Sequence, residues 1–457
     1  MALAVALVLL VVGSVLFHFL SPWWFTPIAS NWGTIDDTVI LTFWVTGAVF
    51  IAVNLFMAYC VIRYRHKKGQ LAHYEPENKK LEWWLTGLTT LGVVAMLAPG
   101  LFVWAKFINV PEDASVFEAV GQQWNWSYRF PGKDGVLGTV DPANITIDNP
   151  FGMNPDDPNG QDDILVSSPE VHLPLNKPVK VLLRATDVLH NFAVAQFRVK
   201  MDMVPGLVTY FWFTPTRTGT FEVLCEELCG LGHHTMRGNV VIDEEEDFQA
   251  WLNSNPTYAE TQAQTGGDAE AGAALYAVCL ACHGTEGEGN IALNSPKISG
   301  QDDWYLIRQL KYFKGGIRGS DEDDVFGRQM APMAAILPDD AAIKNVVAYI
   351  ETLADNPASA TIDGDAARGR DIFSTCGACH GLDGQGIWSL KAPRLAGMTD
   401  WYMVTQLKNF KHGIRGTHAG DMYGGQMGAM ARILTDDQAI NDVIAYINTL
   451  DETVARN

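Results

Sequence analysis

The stretch Gly219–Asp243 reads GTFEVLCEELCGLGHHTMRGNVVID. Its ends, GTFEVLC and GNVVID, are short, apolar and bounded by Gly and Asp, which predicts two β-strands. Between them CEELCGLGHHTM, Cys225–Met236, gathers two cysteines, two histidines and a methionine in a chain with 7 cysteines. Two nearby cysteines in an oxidising exterior form a disulfide by default, yet a disulfide leaves the histidines and the methionine without a role. Zinc would take Cys225, Cys229, His233 and a fourth ligand, with no use for a thioether. Copper accounts for more of the set, because soft thiolates, imidazoles and a weak axial methionine are its electron-transfer ligands.

Working outward, VKVLLRATD and VTYFWFTP are further short runs rich in valine and aromatics, separated by Gly, Pro, Asn and Asp. Residues 107–256 therefore read as one β-sandwich or barrel. Within them Lys133 to Asp163, with NPFGMNPDDPNGQDD, is turn-rich and reads as a surface loop; its aspartates lack the spacing of a calcium-binding EF-hand.

Ahead of this region stand three apolar runs, residues 1–20, 38–62 and 83–106, each long enough to cross about 30 Å of hydrocarbon as a helix. Residues 1–20 have a secretory signal peptide as their alternative reading. They lack a basic n-region, however, and LSPWWF follows where a small-residue cleavage site should stand, so a retained helix is expected. The loop between the second and third runs holds Arg63, Arg65, Lys67, Lys68, Lys79 and Lys80, whereas the first loop holds Asp36 and Asp37. The positive-inside rule puts the basic loop in the cytoplasm and everything after residue 106 outside. That exterior part has 47 acidic against 25 basic residues, a net charge of −22. Nucleic acid is excluded as a partner, and a basic protein is favoured by electrostatic steering.

The C-terminal part contains a repeat offset by 97 residues: CLACHGTEGEG aligns with CGACHGLDGQG, PKISGQDDWYLIRQLKYFKGGIRG with PRLAGMTDWYMVTQLKNFKHGIRG, and RQMAPMAAILPDD with GQMGAMARILTDD. Each copy opens with C-x-x-C-H, Cys279-Cys282-His283 and Cys376-Cys379-His380, the attachment signature of a c-type haem. Haem iron of an electron carrier takes a second axial ligand, commonly methionine. Each copy offers two candidates, Met330 and Met333, then Met427 and Met430, and the repetition does not choose between them. Ile343, Val346, Val347, Ile350 and Leu353 recur at helical spacing, as do Ile440, Val443, Ile444, Ile447 and Leu450, so each unit ends in an amphipathic helix.

Residues 266–454 resemble class I cytochromes c, especially the tandem dihaem kind. The resemblance implies Met330 and Met427 as the axial ligands, leaves Met333 and Met430 as packing, and gives the carbonyls of Pro296 and Pro393 the second ring N–H of His283 and His380. The spacing C-x-E-x-C-x-x-x-H-x-x-M resembles the dinuclear CuA site of subunit II of haem-copper cytochrome c oxidases. That family needs an upstream histidine, which ATDVLHNF supplies as His190. The resemblance implies that Cys225 and Cys229 bridge two coppers, that His190 and His233 each bind one, and that Met236 and the Glu227 carbonyl are weak axial ligands. His234 does not fit the spacing.

The same family gives the Glu227 side chain a magnesium ion at the boundary with subunit I. GQQWNWSYRF resembles its aromatic segment, with Trp124 as the point where electrons arrive and Asn125 where an aromatic residue is common. As plain strand residues, Trp124 and Trp126 would alternate and fill the core. LEWWLT resembles its cytoplasmic segment, which puts Glu82 near the mouth of a proton path; an acid at a helix start is otherwise a favourable dipole contact. Cys60, inside the second apolar run, is expected as packing.

The expected architecture is multi-domain: a membrane anchor over residues 1–106, an all-β cupredoxin-like CuA sandwich over 107–256, and all-α cytochrome c domains over 266–354 and 363–454. The expected function is to pass electrons from an outside donor, a cytochrome c or a quinol–cytochrome c reductase, through two haems and the copper pair to subunit I, coupled to proton transport. Subunit III and membrane lipid are further expected partners. The expected place is the bacterial inner membrane, multi-pass, with the copper and haem domains in the periplasm. His18 is the only histidine inside a membrane helix, so the oxygen site belongs to another subunit. The alternatives are a CuA-bearing nitric oxide reductase subunit and a freestanding membrane-anchored electron carrier.

Overall fold

A computed structural model of the chain describes residues 1–21, 26–69, 76–146, 149–263, 266–418 and 420–450. Residues 22–25 of LSPWWF, 70–75 of the basic loop, 147–148 of the turn-rich loop, 264–265 of the linker and 451–454 of the second expected cytochrome domain lie outside the described residues.

The N-terminal part is three helices, α1 Ala2–Leu20, α2 Gly33–Arg63 and α3 Lys79–Ile108, each long and apolar enough to cross a membrane. α2 and α3, with 31 and 30 residues, overrun the expected spans at both ends. An apolar run marks only the hydrocarbon-facing part of a helix, and at 1.5 Å per residue about 20 residues fill it, so polar ends such as Thr34–Asp37 and Lys79–Glu82 project beyond. Asn78 caps α3 by accepting the Leu81 N–H at 3.1 Å.

Residues 26–32, ahead of α2, are built into the following domain. Trp32 is 2% exposed, donates its indole N–H to the Trp212 carbonyl at 2.9 Å and packs on Trp212 and Phe107. Arg198 grips both oxygens of Asp36 at 2.6 and 2.9 Å. The far end of α3 meets the same domain, where Trp212 Nε1 donates to the Lys106 carbonyl at 3.2 Å. The acidic first loop therefore sits at the sandwich end of the bundle, and the helix ends Arg63 and Lys79 at the opposite end.

Ten strands follow: β1 Ser115–Gln122, β2 Asn125–Phe130, β3 Ile164–Val166, β4 Glu170–Pro174, β5 Val179–Ala185, β6 His190–Val194, β7 Val199–Met203, β8 Thr209–Phe213, β9 Gly219–Cys225 and β10 Arg237–Asp243. They form two five-stranded sheets, β3-β2-β1-β5-β8 and β4-β10-β9-β6-β7. Alternation drives the face-to-face packing: in β10, Gly238, Val240 and Ile242 are buried while Asn239 and Val241 lie nearer solvent. The shared core holds Phe117, Trp126, Val181, Phe192, Phe211, Val223 and Val240, among others. The helix α4 Glu245–Asn253 closes the sandwich, with Phe248 buried on Phe130.

The turn-rich loop is less superficial than expected. Phe151 and Met153 are 2% and 0% exposed and pack with Val120, Leu165 and Tyr258. Beneath them the buried Glu118 carboxylate holds Arg129 and Arg184 at 3.1 Å, and Arg129 reaches on to Asp163 at 2.8 Å. A buried cation with two carboxylate partners ties the loop to β1, β2 and β5.

After the short helix α5 Tyr258–Ala263, the first repeat folds as α6 Ala269–Tyr276, α7 Leu280–His283, α8 Asp303–Lys314, α9 Val325–Ala335 and α10 Asp340–Glu351. The second folds as α11 Ala366–His380, α12 Asp400–His412, α13 Met422–Ala431 and α14 Asp437–Ile447. The first C-x-x-C-H has its own turn of helix, whereas the second continues α11 without a break. The expected terminal helices are α10 and α14, with Ile343, Val346, Val347 and Ile350, and Ile440, Val443, Ile444 and Ile447, buried; Leu353 and Leu450 lie just past their ends, half-buried. Each crosses its N-terminal helix at a glycine: a Cβ on Gly272 or Gly369 would lie 1.9 Å from the Asn345 or Asp442 carbonyl.

The two units are stapled together. Lys297 and Arg394, equivalent residues that are 3% and 5% exposed, both bind the linker's Asp355, at 2.7 and 2.5 Å. The Lys297 N–H also donates to Thr399 Oγ1 at 2.8 Å.

Candidate metal centre and haem pockets

β9 ends at Cys225 and β10 starts at Arg237, so the whole Cys-His-Met stretch is the loop joining two paired strands. β6, paired to the same β9, begins at His190, and Phe192 sits opposite Cys225. This register brings a residue 35 positions upstream to the loop. Cys225 and Cys229 Sγ are 3.7 Å apart, too far for a disulfide bond of about 2.05 Å. His190 Nδ1 lies 3.9 Å from Cys225 Sγ, and His233 Nδ1 lies 3.4 Å from Cys229 Sγ. The Glu227 carbonyl is 3.2 Å from Cys225 Sγ, and Met236 Sδ is 3.8 Å from Cys229 Sγ. Each sulfur thus has one imidazole and one weak donor beside it. His190, Cys225, Cys229 and Met236 are all under 9% exposed, and among the described residues His190, Cys225 and Cys229 form the one His, Cys, Asp or Glu group close enough to share a metal.

The donor chemistry fits copper. A thioether within reach is soft, as are the two thiols, and zinc sites do not use one. The thiols behave as a pair: the Cys229 hydrogen bond lowers Cys225 far below the usual thiol range, and the same bond with burial raises Cys229. Burial disfavours a charged His190, but its bonds to Asp187 and Cys225 outweigh that and raise it. Asp187 had no signal in the sequence beyond standing three residues before His190. Its carboxylate takes the His190 Nε2 at 2.8 Å, which puts the ring proton on Nε2 and turns the Nδ1 lone pair toward the cysteines. The other oxygen accepts the Gln123 N–H at 2.7 Å.

Trp124 does not alternate with Trp126 in a strand. It occupies the tight turn between β1 and β2, whose last pair is Gln122 with Asn125. Its indole N–H donates to the Cys229 carbonyl at 3.0 Å, and Gln123 Nε2 donates to the same oxygen at 2.7 Å. The ring lies flat on the Cys-Gly-Leu-Gly turn: a Cβ on Gly232 would stand 2.3 Å from Trp124 Cδ2, and one on Gly230, whose φ is +116°, 3.1 Å from Cζ2. Both glycines were visible in the sequence, and their task was not. Trp126, 0% exposed, packs against Phe192 behind His190. His234 points to solvent, and Glu82 stands exposed in the first turn of α3, away from these residues.

In the cytochrome units, His283 and His380 are 9% and 8% exposed and their Nδ1–H groups donate to the Pro296 and Pro393 carbonyls at 2.8 and 2.7 Å. Burial pushes both imidazoles below their usual range, keeping Nε2 free as a neutral donor. One cavity of about 450 Å³ spans the two units and is lined by His283, Met330, Met333, His380, Met427 and Met430. Met333 is exposed at its rim, whereas Met330 is half-buried.

The polar lining fits haem carboxylates. Arg318 donates to Gln309 of its own unit at 2.8 Å and to Tyr402 and Gln406 of the other, at 2.5 and 3.1 Å. Arg415, its equivalent, donates to Gln406 at 2.6 Å and across to Gln309 and Tyr305, at 2.9 and 3.3 Å. The Nε–H groups of Arg308, Arg318 and Arg415 are buried with no acceptor, and none of the three has a carboxylate partner among the described residues. Buried guanidinium groups call for anions. Sequence reading missed Arg318 and Arg415, which sit in the two GIRG segments, and Arg308, which lies within α8.

Residues 115–244 match the family described as "Cytochrome C oxidase subunit II, periplasmic domain", and residues 269–354 and 366–451 each match "Cytochrome c". Over 259 residues the chain is 62% identical to the alternative cytochrome c oxidase subunit 2 of Bradyrhizobium diazoefficiens, covering 57% of this chain and 94% of that protein. Two solved structures are also similar. The periplasmic domain of subunit II of cytochrome oxidase of Bradyrhizobium japonicum is 29% identical, with a TM-score of 0.24, over 32% of this chain and 96% of that one. Reduced recombinant cytochrome c4 of Pseudomonas stutzeri is 30% identical, with a TM-score of 0.33, over 40% of this chain and 98% of that one.

Proposed function

The chain belongs to the cytochrome c oxidase subunit 2 family and carries two cytochrome c domains behind the shared part, and from that premise we propose that it is the electron-accepting subunit of a respiratory haem-copper oxidase. Electrons from an external donor pass through two c-type haems to a dinuclear copper centre and on to subunit I, where oxygen is reduced and protons are moved. When bound, both kinds of metal group would supply one-electron transfer.

The chain's residues hold and orient. Cys225, Cys229, His190 and His233 would hold the coppers, with Met236 and the Glu227 carbonyl as weak donors. Cys279, Cys282, His283 and Met330 would hold the first haem, and Cys376, Cys379, His380 and Met427 the second. Pro296, Pro393 and Asp187 fix the imidazole rings through their second nitrogen. Trp124 is where electrons reach the copper domain. The Glu227 carboxylate binds magnesium at the subunit I boundary, and Glu82 stands at the mouth of a proton path. The domains run 1–106, 107–256, 266–354 and 363–454.

The membrane is the bacterial inner membrane, spanned by all three helices, with the copper and haem domains in the periplasm. The grip of Arg198 on Asp36 supports that topology, because it keeps the first loop on the side of the sandwich. Subunit I, subunit III, a cytochrome c or quinol–cytochrome c reductase and lipid are the partners.

The observation that carries the proposal is the sorting of the donors, one imidazole and one weak donor to each thiol. Metal and haem analysis of the purified protein, with absorption and EPR spectra, tests it. The expected result is two haems c and a mixed-valence dicopper signal in the oxidised protein; absence of that signal rejects the copper assignment. Turnover of the purified complex with oxygen rather than nitric oxide separates the oxidase from the reductase. Loss of subunit I binding in Glu227→Gln, with copper retained, argues against a freestanding carrier.

A further inference from the structure

The two cytochrome units are near copies, and it is the second that meets the copper domain through hydrogen bonds from its α13. The second unit's α13 abuts the turn His233–Thr235. Gln426 Nε2 donates to the Trp124 carbonyl at 2.7 Å, and Tyr423 OH accepts from Asn125 Nδ2 at 3.0 Å. Cys379, in the second C-x-x-C-H, packs against the hydrophobic cluster that contains Trp124, Cys225 and Cys229. Trp124 and Gly232 line the cavity shared by both units, with His283 and Met330 as well as His380 and Met427. The first unit offers a direct control, because Phe326 and Gln329 stand where Tyr423 and Gln426 stand in the second. Both are exposed, Phe326 by 42%.

We infer that the second cytochrome unit is the internal donor to the copper centre, seated on Trp124 by Tyr423 and Gln426, and that the first unit takes the electron from outside. The inference rests on the copper and haem assignments above. In the step, one electron leaves the second unit's haem iron, which goes from ferrous to ferric, and enters the copper pair; no bond breaks and no proton moves. The route is short in covalent terms. Cys379, which would carry the haem, packs against the cluster that includes Trp124, and the indole N–H is hydrogen-bonded to the carbonyl of Cys229, which would itself hold copper. Tyr423 and Gln426 are positioning residues, since they hold the unit against the turn and carry no charge themselves. On the first unit the equivalent residues Phe326 and Gln329 are exposed among the described residues, as a site for an external donor requires.

The test compares the full, cofactor-loaded chain with Tyr423→Phe/Gln426→Ala, which removes both hydrogen bonds to the Trp124 turn, and with Gln329→Ala as the matched control. One electron is injected by a light-driven reductant, and haem reoxidation and copper reduction are followed optically. Hydrogen exchange is measured over residues 120–126 and 226–236. Losing two interface hydrogen bonds should lower the docked population roughly tenfold to thirtyfold. The expected result is haem-to-copper transfer slowed by that factor, with faster exchange at both segments and unchanged haem spectra. Gln329→Ala should match the unaltered chain. Unchanged transfer in the double variant, or slowing confined to Gln329→Ala, overturns the order of the units. Failure of the cofactor assignments would show separately, as missing haem c or dicopper spectra in the unaltered chain.

Discussion

Replacing Asp187 with Asn keeps its shape and removes its charge. The carboxylate accepts the His190 Nε2–H at 2.8 Å and the Gln123 N–H at 2.7 Å. A hydrogen bond to a charged group contributes about 1.5–3 kcal/mol and a neutral one about 0.5–1.5, so neutralising the acceptor of these two bonds removes about 2 kcal/mol. General experience with partners of metal-bound imidazoles gives an independent figure, roughly 10- to 100-fold in metal affinity. That range is about 1.4–2.7 kcal/mol, which brackets the first estimate. Asp187→Asn should therefore lower copper affinity about 30-fold. Competitive titration against a chelator of known strength, read by thiolate-to-copper absorption, measures this directly. An affinity within twofold of the unaltered chain's, in a variant with the same circular dichroism, would refute the claim that Asp187 sets the tautomer and angle of His190.

Three further outcomes are expected. Gly232→Ala forces a methyl to within 2.3 Å of Trp124 Cδ2; overpacking at about 1–3 kcal/mol should expel the indole, leave the copper EPR signal in place and slow electron arrival at copper. Glu118→Gln breaks a buried pairing with two arginines and should destabilise the sandwich by about 3–5 kcal/mol, seen as a lower calorimetric transition. Burial alone would raise Glu118, but Arg184 and Arg129 outweigh it and hold the carboxylate below its usual range. The pairing thus contributes fully above about pH 4.3 and is lost as the pH falls further, so the transition should drop on acidification in the parent and less in the variant. Arg415→Leu removes a cation shared by the two cytochrome units, and redox titration should show both haem potentials lowered, by about 59 mV for each 1.4 kcal/mol of lost stabilisation of the reduced form.

Most of the donor set was legible because it is local in sequence. Cys225, Glu227, Cys229, His233 and Met236 lie on one loop, and the C-x-x-C-H pairs announce themselves by spacing. His190 required a resemblance, since only the pairing of β6 with β9 brings it across. Asp187, Gln123, Tyr423 and Gln426 were out of reach because each works through a contact between segments that sequence periodicity does not relate. The strand pattern foretold the sandwich, yet the burial of Phe151 and Met153 did not follow from a stretch whose composition is that of a solvated turn. Helix ends were underestimated for a similar reason: hydropathy reports the lipid, and hydrogen bonding continues past it.

The crossed arginines have a consequence for how such a chain can change. Arg318 depends on Tyr402 and Gln406, and Arg415 on Tyr305 and Gln309, so each repeat finishes the polar lining of its sibling. A mutation at one of these positions should be rescued from the other repeat rather than from nearby in the sequence. For the same reason the pair behaves as a single heritable module: recombination can graft it whole onto another chain, but a lone copy would arrive with half of its lining missing.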